Sequence, residues 1–159
     1  MSAAAERLAE DDLARRRALE VASFIVEAPA GAGKTELLTQ RYLRLLAVVE
    51  QPEEVLALTF TNKAATEMRD RILGSLERAA AGEMPAQPHK RLTFELARQV
   101  LAHDAGQGWQ LLGHPGRLRI TTIDALCASL ARQMPYLSRF GSQPGVSEDA
   151  EAHYATAAR

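Results

Sequence analysis

The stretch FIVEAPAGAGKTELL, residues 24–38, decides the fold, because it joins an apolar run to a glycine-rich loop and a helical pattern. Residues 24–26 are apolar and β-prone, as in a short buried strand. Beyond Lys34, apolar residues recur at helical spacing as far as Val49. A strand, a glycine-rich loop and a helix in this order are typical of a loop that binds phosphate through its backbone N–H groups.

Each residue type in this loop has a chemical reason. Gly31 and Gly33 remove the side chains that would keep the backbone from phosphate oxygens. Lys34 supplies an ammonium for the β- and γ-phosphates, and Thr35 supplies a hydroxyl for Mg²⁺. The first position is Ala28 where the pattern has glycine, a mild departure, because this position only turns the chain. The predicted ATP-binding residues are Ala28, Pro29, Ala30, Gly31, Ala32, Gly33, Lys34 and Thr35.

The pattern outward from the loop predicts an α/β fold with a parallel sheet. Residues 3–20 favour a helix. Residues 55–60 form an apolar run of strand length, as expected for a parallel strand covered on both faces. A second long helix follows, with Ala65 to Ala79 at helical spacing, and residues 118–121 predict a third strand. A third helical stripe from Ile123 to Met134 includes Cys127, which we expect to be a small core residue.

Composition leaves a nucleic-acid partner possible despite a net charge of −1. Residues 61–140 carry 11 basic and 7 acidic side chains, so this segment has a local excess of four positive charges. The aromatic content of 5% argues against a long base-stacking surface. The single cysteine fits a reducing cytoplasm, and we expect no membrane-spanning segment.

Three ordered motifs indicate a family. Residues 58–71, LTFTNKAATEMRDR, resemble motif Ia of the UvrD/Rep-like superfamily 1 DNA helicases. The phosphate loop resembles their motif I. Residues 120–127, ITTIDALC, resemble their Ib-type DNA-contact motif, with Asp124 in place of the usual histidine. Together with EAPAGAGKTELL, the motifs are most similar to those of the AddA/RecB-type helicase–nucleases of double-strand-break repair.

The resemblance implies a P-loop NTPase core of the RecA-like type, a parallel sheet with flanking helices, incomplete in this chain. It implies ATP-driven movement along single-stranded DNA and action on double-stranded DNA, and it suggests that the chain has a second helicase–nuclease protein for its partner. The implied domains are an N-terminal helical arm (1–23), a partial first RecA-like domain (24–140) and the start of an inserted helical subdomain (141–159). The implied DNA-contacting residues are Thr59, Phe60, Thr61, Asn62, Lys63, Thr122 and Asp124.

Several of these residues have alternative roles. Phe60 could contact a base or fill the core, and strand alternation slightly favours the core. Lys63 could contact phosphate or only cover the helix start. Asp124 would repel phosphate, so we expect it to cap the next helix or to accept a hydrogen bond from a base or a backbone N–H group. Arg69 and Arg71 are expected to be solvated helix charges.

Two departures from the family pattern concern the nucleotide. These helicases often have a glutamine before motif I, whereas residues 1–39 contain none, and Arg15 or Arg17 could line that region instead. Hydrolysis usually needs a carboxylate at a strand end. Asp124 is the only candidate, and it matches poorly, because the residues before it are half polar. We therefore expect a piece of a longer enzyme that hydrolyses little ATP by itself.

Two other functions remain open from the sequence. One is a stand-alone P-loop nucleotide-binding protein or small kinase. The other is a non-catalytic DNA-binding module.

Overall fold

The computed structural model describes residues 3–134 together with positions 151 and 154. Its elements fall into two compact units that meet in sequence between Thr122 and Ile123. The first unit contains α1 (Ala3–Arg17), α2 (Lys34–Leu46), β1 (Leu56–Thr59), α3 (Asn62–Ala80), α4 (Pro88–Gln107) and β2 (Arg119–Thr122). Short 3₁₀ turns at Pro52–Glu54 and Pro115–Arg117 precede the two strands. The second unit contains α5 (Ile123–Gln133). The described part is thus α/β, as predicted.

The two strands form a parallel pair in which Leu56 lies opposite Arg119 and Thr59 lies opposite Thr122. Because side chains alternate along a strand, the same face of the pair carries Ala57 and Ile120. That inner face is covered by helices, and Ile120 is buried. Residues 55–60 and 118–121 were both predicted as strands, and both predictions are confirmed within one or two residues.

The core lies between the inner face of the sheet and helices α2, α3 and α4. Its largest fully buried side chains include Leu43 and Leu46 of α2, Ile72 and Leu76 of α3, and Val100 of α4. These positions recur every three or four residues, so each helix buries one stripe. The stripe predicted for α3 is confirmed, since Ala65, Ile72, Leu76 and Ala79 are buried and Met68 packs against the same core.

Contacts distant in sequence hold this core together. Trp109 is buried, and its Nε1 donates to the carbonyl of Glu50 at 3.1 Å. Tyr42 is buried and donates to the carbonyl of Val55, and burial raises the pKa of its hydroxyl well above the ordinary value. Arg117 forms a two-point ion pair with Glu53, with distances of 2.7 and 3.0 Å. Both 3₁₀ turns are thereby joined at the start of the sheet.

The structure corrects the prediction of a strand at residues 24–26. This segment has no regular secondary structure, and Ile25 is 93% exposed. A strand forms only when a neighbour accepts its backbone hydrogen bonds. In the described part of the chain β1 and β2 pair with each other and not with this segment. The phosphate-loop sequence therefore follows an extended segment rather than a strand.

The expectation that residues 55–60 are covered on both faces is also wrong. Leu56 and Leu58 point away from the helices and are 41% and 46% exposed. The reason is that α3 packs on the opposite face of the pair, the face that carries Ala57 and Ile120.

In the second unit, α5 forms where the sequence predicts a helix, but its apolar stripe is not buried. Ile123, Leu130 and Met134 are exposed, and so is Cys127, which was expected in the core. Nearly all of the predicted subdomain at 141–159 lies outside the described residues. Within the described residues, none of the helices has the length and apolar character needed to cross a bilayer.

Candidate functional site

The phosphate-loop sequence forms a tight turn that ends at the first residue of α2. Gly31 and Gly33 have φ angles of +79° and +77°, in the left-handed region that favours glycine. The N–H of Ala32 donates to the carbonyl of Pro29 at 3.3 Å, which closes the turn. Gly33 is the N-cap of α2, and no side chain caps the helix there. The first N–H groups of α2 are thus left for a ligand or water, as an anion site requires.

Lys34 is the first residue of α2, and its ammonium lies over the loop. It donates to the carbonyls of Ala28 and Pro29 at 2.6 and 2.7 Å. Thr35 is exposed in the first helical turn, and its backbone carbonyl accepts from the hydroxyl of Thr39 at 2.9 Å. The structure therefore gathers the predicted loop residues, 28–35, around one exposed turn. The donors present, an ammonium, a hydroxyl and helix N–H groups, fit a phosphate chain with a hard cation.

Arg15 of α1 lies beside this loop. Its Nη2 donates to the carbonyl of Ala32 at 2.6 Å, and its Nε pairs with Asp11 at 2.7 Å. The sequence allows Arg15 or Arg17 in this region, and the structure selects Arg15. A cleft of about 190 Å³ opens here between α1 and the extended segment, and Lys34 and Ala32 are among its lining residues.

A larger cleft of about 380 Å³ lies among α2, α3 and α4 and contains none of the predicted loop residues. Two of its lining residues, Glu36 and Thr93, belong to a set of hydrogen-bonded side chains that the sequence patterns did not predict. Gln40 donates to the hydroxyl of Thr93 at 3.0 Å, and that hydroxyl donates to the carboxylate of Glu36. The available signal was the spacing of Glu36 and Gln40, which are four residues apart and so share one face of α2. These hydrogen bonds connect the first two turns of α2, the helix that follows the phosphate loop, to α4.

A second group of predicted residues lies where β1 ends and α3 begins. The Thr61 hydroxyl accepts from the N–H of Ala64 at 3.1 Å, as a helix N-cap does. The Thr59 hydroxyl donates to the carbonyl of Thr61 at 3.0 Å. Both hydroxyls are therefore engaged in shaping the turn. Asn62 and Lys63 are exposed in the first turn of α3.

The aromatic ring of Phe60 is 88% exposed at this turn, so the preference for a core position is wrong. Strand alternation did not apply, because β1 ends at Thr59 and Phe60 belongs to the turn.

The end of β2 lies beside this turn, because Thr59 and Thr122 are paired in the sheet register. Thr122 is buried. Arg69 of α3 donates to the carbonyl of Ile120 at 2.6 Å and is partly buried, so the expectation of a solvated Arg69 is wrong, whereas Arg71 is exposed as expected. Asp124 is exposed in the first turn of α5, in the second unit, and its part in a common DNA surface stays a prediction.

The described residues hold no cluster of three or more His, Cys, Asp or Glu side chains suited to a metal ion.

Comparison with known proteins identifies the family to which this chain belongs. The family model for the UvrD/REP helicase N-terminal domain matches residues 12–154. An ATP-dependent helicase/nuclease protein from Desulforudis audaxviator (strain MP104C) is 34% identical over 82% of this chain. The protein of the same name from Moorella thermoacetica (strain ATCC 39073 / JCM 9320) is 37% identical over 85% of this chain. The matched regions are 9% and 8% of the lengths of these relatives. No solved structure matches.

Proposed function

Because this chain belongs to the UvrD/REP helicase N-terminal domain family, we propose that it is the ATP-binding part of a DNA helicase that moves along single-stranded DNA. The observation that carries the proposal is the turn at residues 28–35. It has two glycines at positive φ, an uncapped helix start and a lysine ammonium over the loop.

In this proposal the loop binds the phosphates of Mg-ATP. The N–H groups at the start of α2 donate to the phosphate oxygens, and the helix dipole favours their negative charge. Lys34 exchanges its contacts with Ala28 and Pro29 for the β- and γ-phosphates, and Thr35 provides a hydroxyl ligand for Mg²⁺. Bound Mg²⁺ would offset the negative charge of the phosphates.

The proposed DNA surface is the turn between β1 and α3. Phe60 offers an exposed ring on which a base can stack. Lys63 and the backbone N–H groups at the start of α3 can bind phosphate. Thr59 and Thr61 act by shaping the turn, since both hydroxyls are engaged within it.

Hydrolysis by this chain alone is proposed to be slow or absent. In the described residues β1 ends at Thr59 and β2 ends at Thr122, so neither strand ends in a carboxylate that could hold Mg²⁺ and orient water.

The relatives named as ATP-dependent helicase/nuclease proteins suggest a setting for the chain. We propose that it acts in a cytoplasmic helicase–nuclease that processes double-stranded ends during break repair, together with a second helicase–nuclease protein.

The test is nucleotide binding by the 159-residue chain. Mg-ATP should bind weakly, and Lys34→Ala should abolish measurable binding in calorimetry, since the ammonium is lost from the phosphate site. Lys90→Ala, an exposed lysine of α4 outside the loop, is the matched control and should bind as the unmodified chain does. Rapid turnover stimulated by single-stranded DNA and abolished by Lys34→Ala would contradict the proposed lack of hydrolysis.

Two outcomes would favour the other functions. Phosphate transfer from ATP to a nucleoside or small metabolite would indicate a small kinase. Salt-sensitive single-strand binding by a chain that binds no ATP would indicate a DNA-binding module.

A further inference from the structure

We propose that Arg15 is a positioning residue of the phosphate loop, which holds the Ala32 carbonyl so that the N–H of Gly33 faces the bound anion. This inference rests on the proposed nucleotide site. It assigns a function in the loop to a residue of α1, 19 positions before Lys34.

The contact is specific in its geometry. Arg15 Nη2 lies 2.6 Å from the carbonyl oxygen of Ala32. A Cβ atom built on Gly33 would lie 3.5 Å from Arg15 Nη1, so the guanidinium also lies against the next residue of the loop.

The orientation of one carbonyl fixes the orientation of the next N–H group. The peptide unit is planar and trans, so the C=O of Ala32 and the N–H of Gly33 point in opposite directions. A carbonyl held by Arg15 therefore directs the Gly33 N–H away from Arg15, and the proposal places the bound anion on that side of the loop.

The loop needs such an anchor because its own residues restrain it little. Glycine has access to more backbone conformations than any other residue, so the peptide units beside Gly31 and Gly33 can rotate at low cost. Anchoring one of them before the ligand arrives reduces the ordering cost of binding.

Asp11 holds the guanidinium in place. It lies one helical turn before Arg15 on α1 and accepts from Arg15 Nε at 2.7 Å. Arg15 is only partly exposed, whereas its neighbours Arg16 and Arg17 are exposed. The ion pair lies near the surface, so its own contribution to stability is small. Its effect in this proposal is to direct Nη2 toward Ala32.

The test compares Mg-ATP with inorganic Mg-tripolyphosphate, which has the phosphate chain but no nucleoside. Arg15→Ala should weaken the binding of Mg-ATP and of inorganic Mg-tripolyphosphate by a similar factor, about tenfold, because the ligand must then order roughly one backbone residue of the loop itself. Arg15→Lys should recover part of the loss, because an ammonium can reach one carbonyl but lacks the fork that also pairs with Asp11. Arg16→Ala is the matched control and should bind both ligands as the unmodified chain does.

Melting of each variant without ligand separates positioning from folding. If Arg15→Ala does not fold, Asp11→Asn decides instead, because it leaves Arg15 in place but removes the carboxylate that orients its guanidinium. About a threefold weaker binding of both ligands is then expected. A loss confined to Mg-ATP would overturn the proposal and indicate that Arg15 contacts the base. Unchanged binding in Arg15→Ala, alongside lost binding in Lys34→Ala, would overturn the positioning role and leave the nucleotide site intact. An unmodified chain that binds neither ligand would overturn both proposals.

Discussion

Phe60 is an aromatic side chain that the fold leaves 88% exposed between a strand and a helix. Burial of apolar area is what makes a side chain stabilise a fold. We therefore expect Phe60→Ala to change the free energy of unfolding by no more than about 0.5 kcal/mol. Leu76→Ala, which empties a fully buried position in α3, should cost about 2–5 kcal/mol in the same denaturant titration.

Loss of the Phe60 ring should instead reduce single-strand binding. Stacking of one base on an aromatic ring contributes about 1–3 kcal/mol, so Phe60→Ala should weaken binding to a short oligonucleotide roughly tenfold or more. Phe60→Trp keeps a stacking surface and should retain most of the affinity. Equal affinities for the alanine variant and the unmodified chain would remove Phe60 from the proposed DNA surface.

At the scale of the element, α4 shows how a helix end sets the course of the next segment. Gly108 is the C-cap, with φ of +70°, and its N–H donates to the carbonyl of Asp104 at 2.8 Å. The left-handed residue turns the chain back, so that Trp109 enters the core directly after the helix. Trp109 and Leu111, just past the helix end, are buried, whereas Leu112 is 41% exposed.

Two glycines near this helix end should respond in opposite ways to the same substitution. Gly106 lies inside α4 with open space at its Cβ position, so Gly106→Ala should stabilise the fold by about 0.5 kcal/mol. Gly108→Ala places a Cβ on a left-handed residue and should destabilise it by about 1–2 kcal/mol. Thermal melting of the pair measures both, and a stable Gly108→Ala variant would contradict this account of the cap.

At the scale of the whole molecule, the ion pair of Glu53 and Arg117 joins segments 64 residues apart. The hydrogen bond from Arg117 holds the pKa of Glu53 below its ordinary value of 4.5. A carboxylate whose pKa is lowered by folding stabilises the fold above its unfolded-state pKa, and this stabilisation is lost as pH falls through the lowered value.

The expected effect is small, because the pair is partly exposed and screened by solvent. Glu53→Gln should be less stable than the unmodified chain at neutral pH, and the difference should shrink from about pH 4.5 downward. Denaturant titrations at several pH values measure it, with Glu83→Gln, an exposed carboxylate outside the pair, as the control. A difference that grows in acid would contradict the assignment.

The whole chain also shows which features follow from local sequence. The helical stripes of α3 and the strand at residues 118–121 were predictable, because their periodicity is a property of consecutive residues. The left-handed turn at Gly31 and Gly33 was predictable from glycine itself.

Other features depend on which part of the chain packs against a segment, and the local sequence of the segment does not specify that partner. Residues 24–26 have strand-forming residues but no paired neighbour in the described chain. The apolar stripe of α5 is helical as predicted yet exposed at Leu130. The contact of Arg15 with Ala32 joins residues 17 apart, and nothing in the order of residues 14–18 specifies it.

The parallel register that sets Thr59 beside Thr122 limits where insertions and deletions can be tolerated between homologues. The connection between the two strands leaves through α3, crosses the bend at residues 81–87 and returns through α4. Insertions or deletions at that bend lengthen or shorten the route without moving either strand end, whereas one residue gained within Leu56–Thr59 would invert the side chains of the strand. Homologues can therefore differ in the length of the connection between α3 and α4 and still keep the ends of β1 and β2 adjacent in space.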